Sequence, residues 1–76
     1  MSDALPDVIA LVAQVTRGPE VTAASRFGSL GNWSSLAALR LLALVEQRCG
    51  VSLDLRRYLA VETVGELAEL ITAGRR

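Results

Sequence analysis

Apolar positions fall along the chain in blocks with helical spacing. From Leu5 to Arg17, the residues Leu5, Ile9 and Val12, with Val8 and Val15 beside them, recur every three or four positions, the period of one buried helix face. Pro6 suits the first turn of that helix, where a missing N–H costs little, and Gly18-Pro19 marks its end. Residues 18–33 show no such period. Gly18, Pro19, Gly28 and Gly31 predict a long connection there, which Phe27 and Leu30 pin to the core. A connection of that length in a short chain is usually functional. A second helix is predicted from about Ser34 to Cys49, stopped by Gly50 at the position that favours a left-handed residue. Asp54 to Leu59 predicts one short helical turn, with Asp54 as its N-cap. Thr63-Val64-Gly65-Glu66 fits the T-x-x-E capping box. It opens a last helix with Leu67, Leu70 and Ile71 facing inward and Gly74 at its end. No segment alternates with period two, and there are no internal repeats. The expected fold is all-α: a small four-helix bundle with three main helices and one short one, forming one domain over residues 1–76.

The second helix carries more apolar surface than one core face needs. At 3.6 residues per turn, Leu41, Leu42, Val45 and Cys49 share one side, with Ala38 beside them. Leu36, Leu39 and Ala43 fall roughly opposite, interleaved with Arg40 and Gln47. One stripe suffices for a helix in a small bundle. The other stripe either covers the long connection or meets a partner, and the pattern alone leaves both open.

Size and composition narrow the function. A chain of 76 residues buries only about 60% of the surface its unfolded form exposes, which leaves no room for a deep active-site cavity. Hydrophobic residues make up 51% of it, enough for a compact core rather than disorder. Formal charge is zero, and the eight basic residues are all arginines scattered from Arg17 to Arg76, with pairs only at Arg56-Arg57 and Arg75-Arg76. Nucleic-acid binding asks for a concentrated basic footprint, so no nucleic-acid partner is expected. Cys49 is the sole cysteine and there is no histidine. An internal disulfide is excluded, a zinc site is not expected, and a cytoplasmic location is the simpler expectation. Cys49 continues the core stripe and reads as a small buried hydrophobe rather than a nucleophile. The acidic start MSDALPD lacks the basic region of a secretory signal. The apolar run from Val8 to Ala13 is far too short to cross a bilayer, so no membrane partner is expected.

Ser34 and Ser35 stand together at the start of the second helix. Serine caps helices well, and capping is the plainest role for either. A hydrolytic triad of the usual form is excluded by the lack of histidine. Another role is that of acceptor for a covalent group, because a phosphodiester at a helix N-terminus lies in a favourable field beside free N–H groups.

The stretch Trp33-Ser34-Ser35-Leu36-Ala37-Ala38-Leu39-Arg40-Leu41, followed by Glu46 and Cys49-Gly50-Val51, resembles the prosthetic-group motif of the phosphopantetheine-binding carrier proteins, the acyl and peptidyl carriers. Their attachment motif is typically Asp-Ser-Leu, often preceded by Leu-Gly. A leucine-rich helix follows, with a glutamate eleven residues after the serine and a phenylalanine-glycine near its end. Counted from Ser35, Glu46 and Gly50 fall on that glutamate and that glycine; counted from Ser34, neither does. The register selects Ser35. The resemblance extends over the first helix, the long connection, the short third helix and the Thr63 to Ala68 start of the last. There are departures: Ser34 replaces the usual Asp, Leu30-Gly31 lies one residue further upstream than is common, and Cys49 stands where Phe is frequent.

The resemblance implies a carrier rather than an enzyme. A phosphopantetheinyl transferase would move 4′-phosphopantetheine from coenzyme A to Ser35, normally with Mg²⁺, and the arm's thiol would hold acyl or aminoacyl groups as thioesters. Loading, condensing or tailoring enzymes would be its further partners. Leu36, Leu39, Arg40, Ala43 and Gln47 would form the docking face of a monomer. Arg40, five residues after Ser35, and the neutral charge lean towards a peptidyl or specialised-metabolism carrier, of the polyketide or nonribosomal peptide type. Met1 and a chain that ends just past the last helix suggest a free-standing protein, with an excised domain of a larger synthase as the alternative. The contrasting expectation is an unmodified helical interaction module that uses the Leu36/Leu39 face and keeps both serines as caps.

Overall fold

A computed structural model describes residues 4–16, 20–31 and 33–74. The elements follow the expected order: α1 (Leu5–Thr16), a single 3-10 turn (Phe27–Ser29), α2 (Ser35–Cys49), α3 (Leu55–Ala60) and α4 (Val64–Gly74). Among the described residues there is no strand, only an isolated antiparallel bridge between Arg26 and Thr63. α1 packs against both α2 and α4, and α3 against α4.

The core is built where the three long helices meet. Val8 and Val12 of α1, Leu41 and Val45 of α2, and Val64, Leu67 and Ile71 of α4 are fully sealed from solvent. The buried stripe of α1 is Val8, Leu11, Val12 and Thr16. Leu5, Ile9 and Val15 pack at its margin rather than at its centre, so the helix is rotated relative to the expected face, and Leu11 enters the core. Thr16 belongs there because its hydroxyl donates to the carbonyl of Val12 at 2.8 Å, which leaves no buried donor unpaired. Arg17, the Gly18-Pro19 stop, the acidic first three residues and the Arg75-Arg76 pair lie outside the described residues.

Local chemistry sets the helix ends. The Asp54 carboxylate accepts from the N–H groups of Arg56 at 2.8 Å and Arg57 at 3.4 Å, which caps α3 one residue before its first turn. The capping box is complete: the Glu66 N–H donates to Thr63 Oγ1 at 3.2 Å, and the Thr63 N–H donates back to Glu66 Oε1 at 3.2 Å. α2 ends at Gly50, in the left-handed region with φ 66°, where its N–H reaches the carbonyl of Glu46 at 3.0 Å.

The described part of the long connection is held by backbone bonds to Glu62 and to the start of α4. Phe27 N–H donates to the Glu62 carbonyl at 3.0 Å, Val64 N–H to the Ser25 carbonyl at 3.0 Å, and Gly65 N–H to the Ala23 carbonyl at 2.8 Å. A Cβ at Gly65 would lie 3.1 Å from that same oxygen, so the glycine permits the close approach. Phe27 is buried and Leu30 packs at the core margin, as the sequence predicts.

Candidate functional site

The two adjacent serines are separated by one helical position, and their surroundings differ. Ser34 has extended backbone (φ −151°, ψ 173°) and is the N-cap of α2. Its Oγ accepts from the Ala37 N–H at 3.1 Å, and its carbonyl accepts from the Ala38 N–H at 2.9 Å. Ser35 is the first residue of the helix and is exposed. Among the described residues its hydroxyl has no hydrogen-bond partner, and the N–H groups of Ser35 and Leu36 have no acceptor. These are the donors that a helix start leaves open. They point out of the positive end of the α2 dipole, and no acidic side chain occupies the first turn to compete. The exposed hydroxyl and open donors suit a phosphodiester at Ser35.

The outer stripe of α2 is open to solvent. Leu36 is 69% and Leu39 53% exposed; Arg40, Ala43 and Gln47 are exposed as well. These leucines are largely open to solvent rather than sealed under the long connection, and Leu39 borders it only across the groove it lines with Trp33. Arg40 forms no ion pair among the described residues; the pair present there joins Arg26 and Glu62 at 3.4 Å, on exposed side chains. On the inner side, Ala38, Leu41 and Val45 are buried, and Leu42 and Cys49 are only half-buried at the edge of the core. Cys49 thus departs from the fully buried position expected and packs against the core from its margin.

The structure adds residues that the sequence pattern does not single out. Leu55 and Leu59 of α3 are 49% and 61% exposed. Leu59 joins Trp33, Ser34, Ser35, Ala38 and Leu39 around an open groove of about 480 Å³. Trp33 stacks on Phe27, ring centroids 4.8 Å apart and 26° from parallel, which fixes the residue that leads into the serines. Tyr58 is 3% exposed and its hydroxyl donates to the Ala38 carbonyl, tying α3 to α2 just below the groove. Burial pushes its hydroxyl up from 10.0 to about 12, so it keeps its proton further into the alkaline range than an exposed tyrosine does. Glu46, singled out only by register, plays a structural part. Its carboxylate accepts from the Leu53 N–H at 2.9 Å and so holds the α2–α3 connection. A leucine pair four apart on a short segment beside a tyrosine was the available signal for α3, but six residues are too few to define a face by period.

Comparison with known proteins agrees with this geometry. Residues 6–71 match the family model described as a phosphopantetheine attachment site. No curated protein and no solved structure gives a significant match. The match spans nearly all of the described bundle, including the open hydroxyl at the start of α2; the chain belongs to the phosphopantetheine-attachment family, a carrier that bears covalent 4′-phosphopantetheine and is not itself catalytic.

Proposed function

We propose that Ser35 Oγ is the attachment point of the 4′-phosphopantetheine arm, and that the protein carries acyl or aminoacyl groups among enzymes of a polyketide or nonribosomal peptide type of biosynthesis. The observation that supports this most is the division of labour at the start of α2. Ser34 spends its hydroxyl on the cap, and Ser35 holds its own exposed and unbonded among the described residues. In the transfer, Ser35 Oγ bonds to the phosphorus next to the pantetheine unit. The pyrophosphate bond of coenzyme A breaks, the nucleotide leaves, and the hydroxyl proton passes to a base on the transferase. The open N–H groups of Ser35 and Leu36 then face the new phosphodiester. When bound, the arm supplies a thiol that holds cargo as a thioester.

The rest of the chain positions that thiol for others. A tether raises the local concentration of cargo at each partner without new contacts. Leu36, Leu39 and Ala43 offer a small apolar patch, and Arg40 and Gln47 give it a polar border. A patch this small supports brief docking by one monomeric domain with a transferase and then with loading, condensing or tailoring enzymes. No described helix is long and apolar enough to cross a membrane, and the free thiol of Cys49 suits the reducing cytoplasm in which coenzyme A is found.

Incubation with coenzyme A, Mg²⁺ and a broad-range phosphopantetheinyl transferase tests the reading. Intact mass is expected to rise by one phosphopantetheinyl group. A folded chain that stays unmodified under conditions that load other carriers would instead support an interaction module on the Leu36/Leu39 face.

A further inference from the structure

Two hollows lie near the start of α2. The outer is the groove of about 480 Å³ that Ser35 itself lines. The inner is a chamber of about 90 Å³ lined by Phe27, Trp33, Ala38, Tyr58, Leu59 and Val61. They share Trp33, Ala38 and Leu59, so the two lie side by side, and the buried Phe27 and Tyr58 line only the chamber, which makes it the inner of the pair. No charged side chain lines either one, and an alkyl chain could follow this path from Ser35 towards the core.

The path ends at Tyr58. Its side chain forms part of the chamber wall but not of the groove, and it also belongs to the core cluster with Leu41 and Val45, both at 0% exposure. The hydroxyl is fastened to the Ala38 carbonyl on the facing helix, so moving the ring aside breaks a buried hydrogen bond. On another wall of the chamber, Phe27 is fixed by its stack on Trp33. A dry cavity of about 150 Å³ is what a single benzene ring occupies; the chamber is smaller and takes a short alkyl group at most.

We propose that Tyr58 is a specificity-determining residue: its ring closes the inward path, so the tail of any longer thioester stays outside the bundle, in the groove or in solvent. This rests on attachment at Ser35. The test follows the methyl resonances of Leu41 and Val45, which lie in the core cluster with Tyr58. The protein is loaded from acetyl-, butanoyl-, octanoyl- and decanoyl-coenzyme A, and intact mass reports loading separately. In a parallel series the unmodified protein is titrated with the free decanoyl thioester of N-acetylcysteamine. In the wild type the resonances are expected to stay put at every chain length and with the free thioester. Tyr58→Phe keeps the ring and should behave alike. Tyr58→Ala, or Tyr58→Leu if the alanine variant does not fold, should show shifts that grow from butanoyl to decanoyl. Its melting temperature should also rise with chain length, by roughly 3–6 °C for each methylene fully buried. Length-dependent shifts in the wild type, or none in a folded ring-deleted variant, would overturn the proposal. Failure to gain mass would count against Ser35, and the free-thioester series would still decide the role of Tyr58.

Discussion

Leu39 and Leu41 are two positions apart on α2, and the structure assigns them opposite roles. Leu39 is 53% exposed and Leu41 is 0% exposed. Full burial of a leucine side chain stabilises by about 1.5–3 kcal/mol. Leu39 keeps about half of its surface in water, so Leu39→Ala loses about 1 kcal/mol or less. Leu41→Ala loses the transfer energy and leaves a cavity among sealed neighbours, at a cost of about 2–5 kcal/mol. A domain of this size has only about 5–15 kcal/mol in all, and its melting temperature moves by about 4–8 °C per kcal/mol. Thermal unfolding should therefore fall by no more than about 8 °C for Leu39→Ala, and by at least about that much for Leu41→Ala. The functional readout runs the other way. If the outer stripe docks partners, a loss of roughly 1 kcal/mol of contact lowers transferase kcat/KM about fivefold in Leu39→Ala. Arg40→Glu should lower the association rate and change its salt dependence at nearly constant stability. Normal kinetics in both variants, with Leu39→Ala as destabilised as Leu41→Ala, would refute the assignment.

Three further outcomes follow from individual contacts. Ser34→Ala removes the α2 cap and should cost about 0.5–2 kcal/mol, measured by chemical denaturation, whereas Ser34→Asp should keep the cap and load equally fast or faster. Glu46→Ala leaves the Leu53 N–H without its charged acceptor and should cost about 1–2 kcal/mol; Glu46→Gln, which retains an acceptor oxygen, should cost less. Tyr58 titrates at about 12 in the fold against 10.0 unperturbed. The unfolded chain therefore loses this proton first as pH rises, and the contribution of the group, about 2–3 kcal/mol, is intact below pH 10 and lost between pH 10 and 12. Tyr58 is the only tyrosine, so tyrosinate absorbance against pH checks this directly. Titration near 10 in the folded protein would contradict the burial.

What the sequence made legible was local. Asp54 caps α3, Thr63 and Glu66 close a capping box, and Gly50 ends α2 because each depends on side chains or backbone within a few residues. The helical period set Leu36 and Leu39 opposite Leu41 and Val45, but it did not say whether they would be covered, and their exposure became visible only in the fold. The rest depends on contacts distant in sequence. The loop anchors at Ala23, Ser25 and Phe27 pair backbone groups with Glu62 and the start of α4, and backbone pairing carries no side-chain signature. Tyr58 finds Ala38 twenty positions away, and Leu59 lines one groove with Ser35 where that bond ties α3 to α2. The small rotation of α1 that brings in Leu11 is likewise set by what α2 and α4 present. Ser34 and Ser35 were distinguishable by motif register; their different hydrogen bonding became visible only with the helix start in place.

The central claim is that one serine of the adjacent pair carries the arm, and a pair of variants tests it most directly. Ser34→Ala and Ser35→Ala are each incubated with coenzyme A, Mg²⁺ and a broad-range transferase, with circular dichroism to confirm that both are folded, and their intact masses are compared. Ser34→Ala is expected to gain one phosphopantetheinyl group, and Ser35→Ala to gain none. Modification that persists in folded Ser35→Ala would contradict the claim.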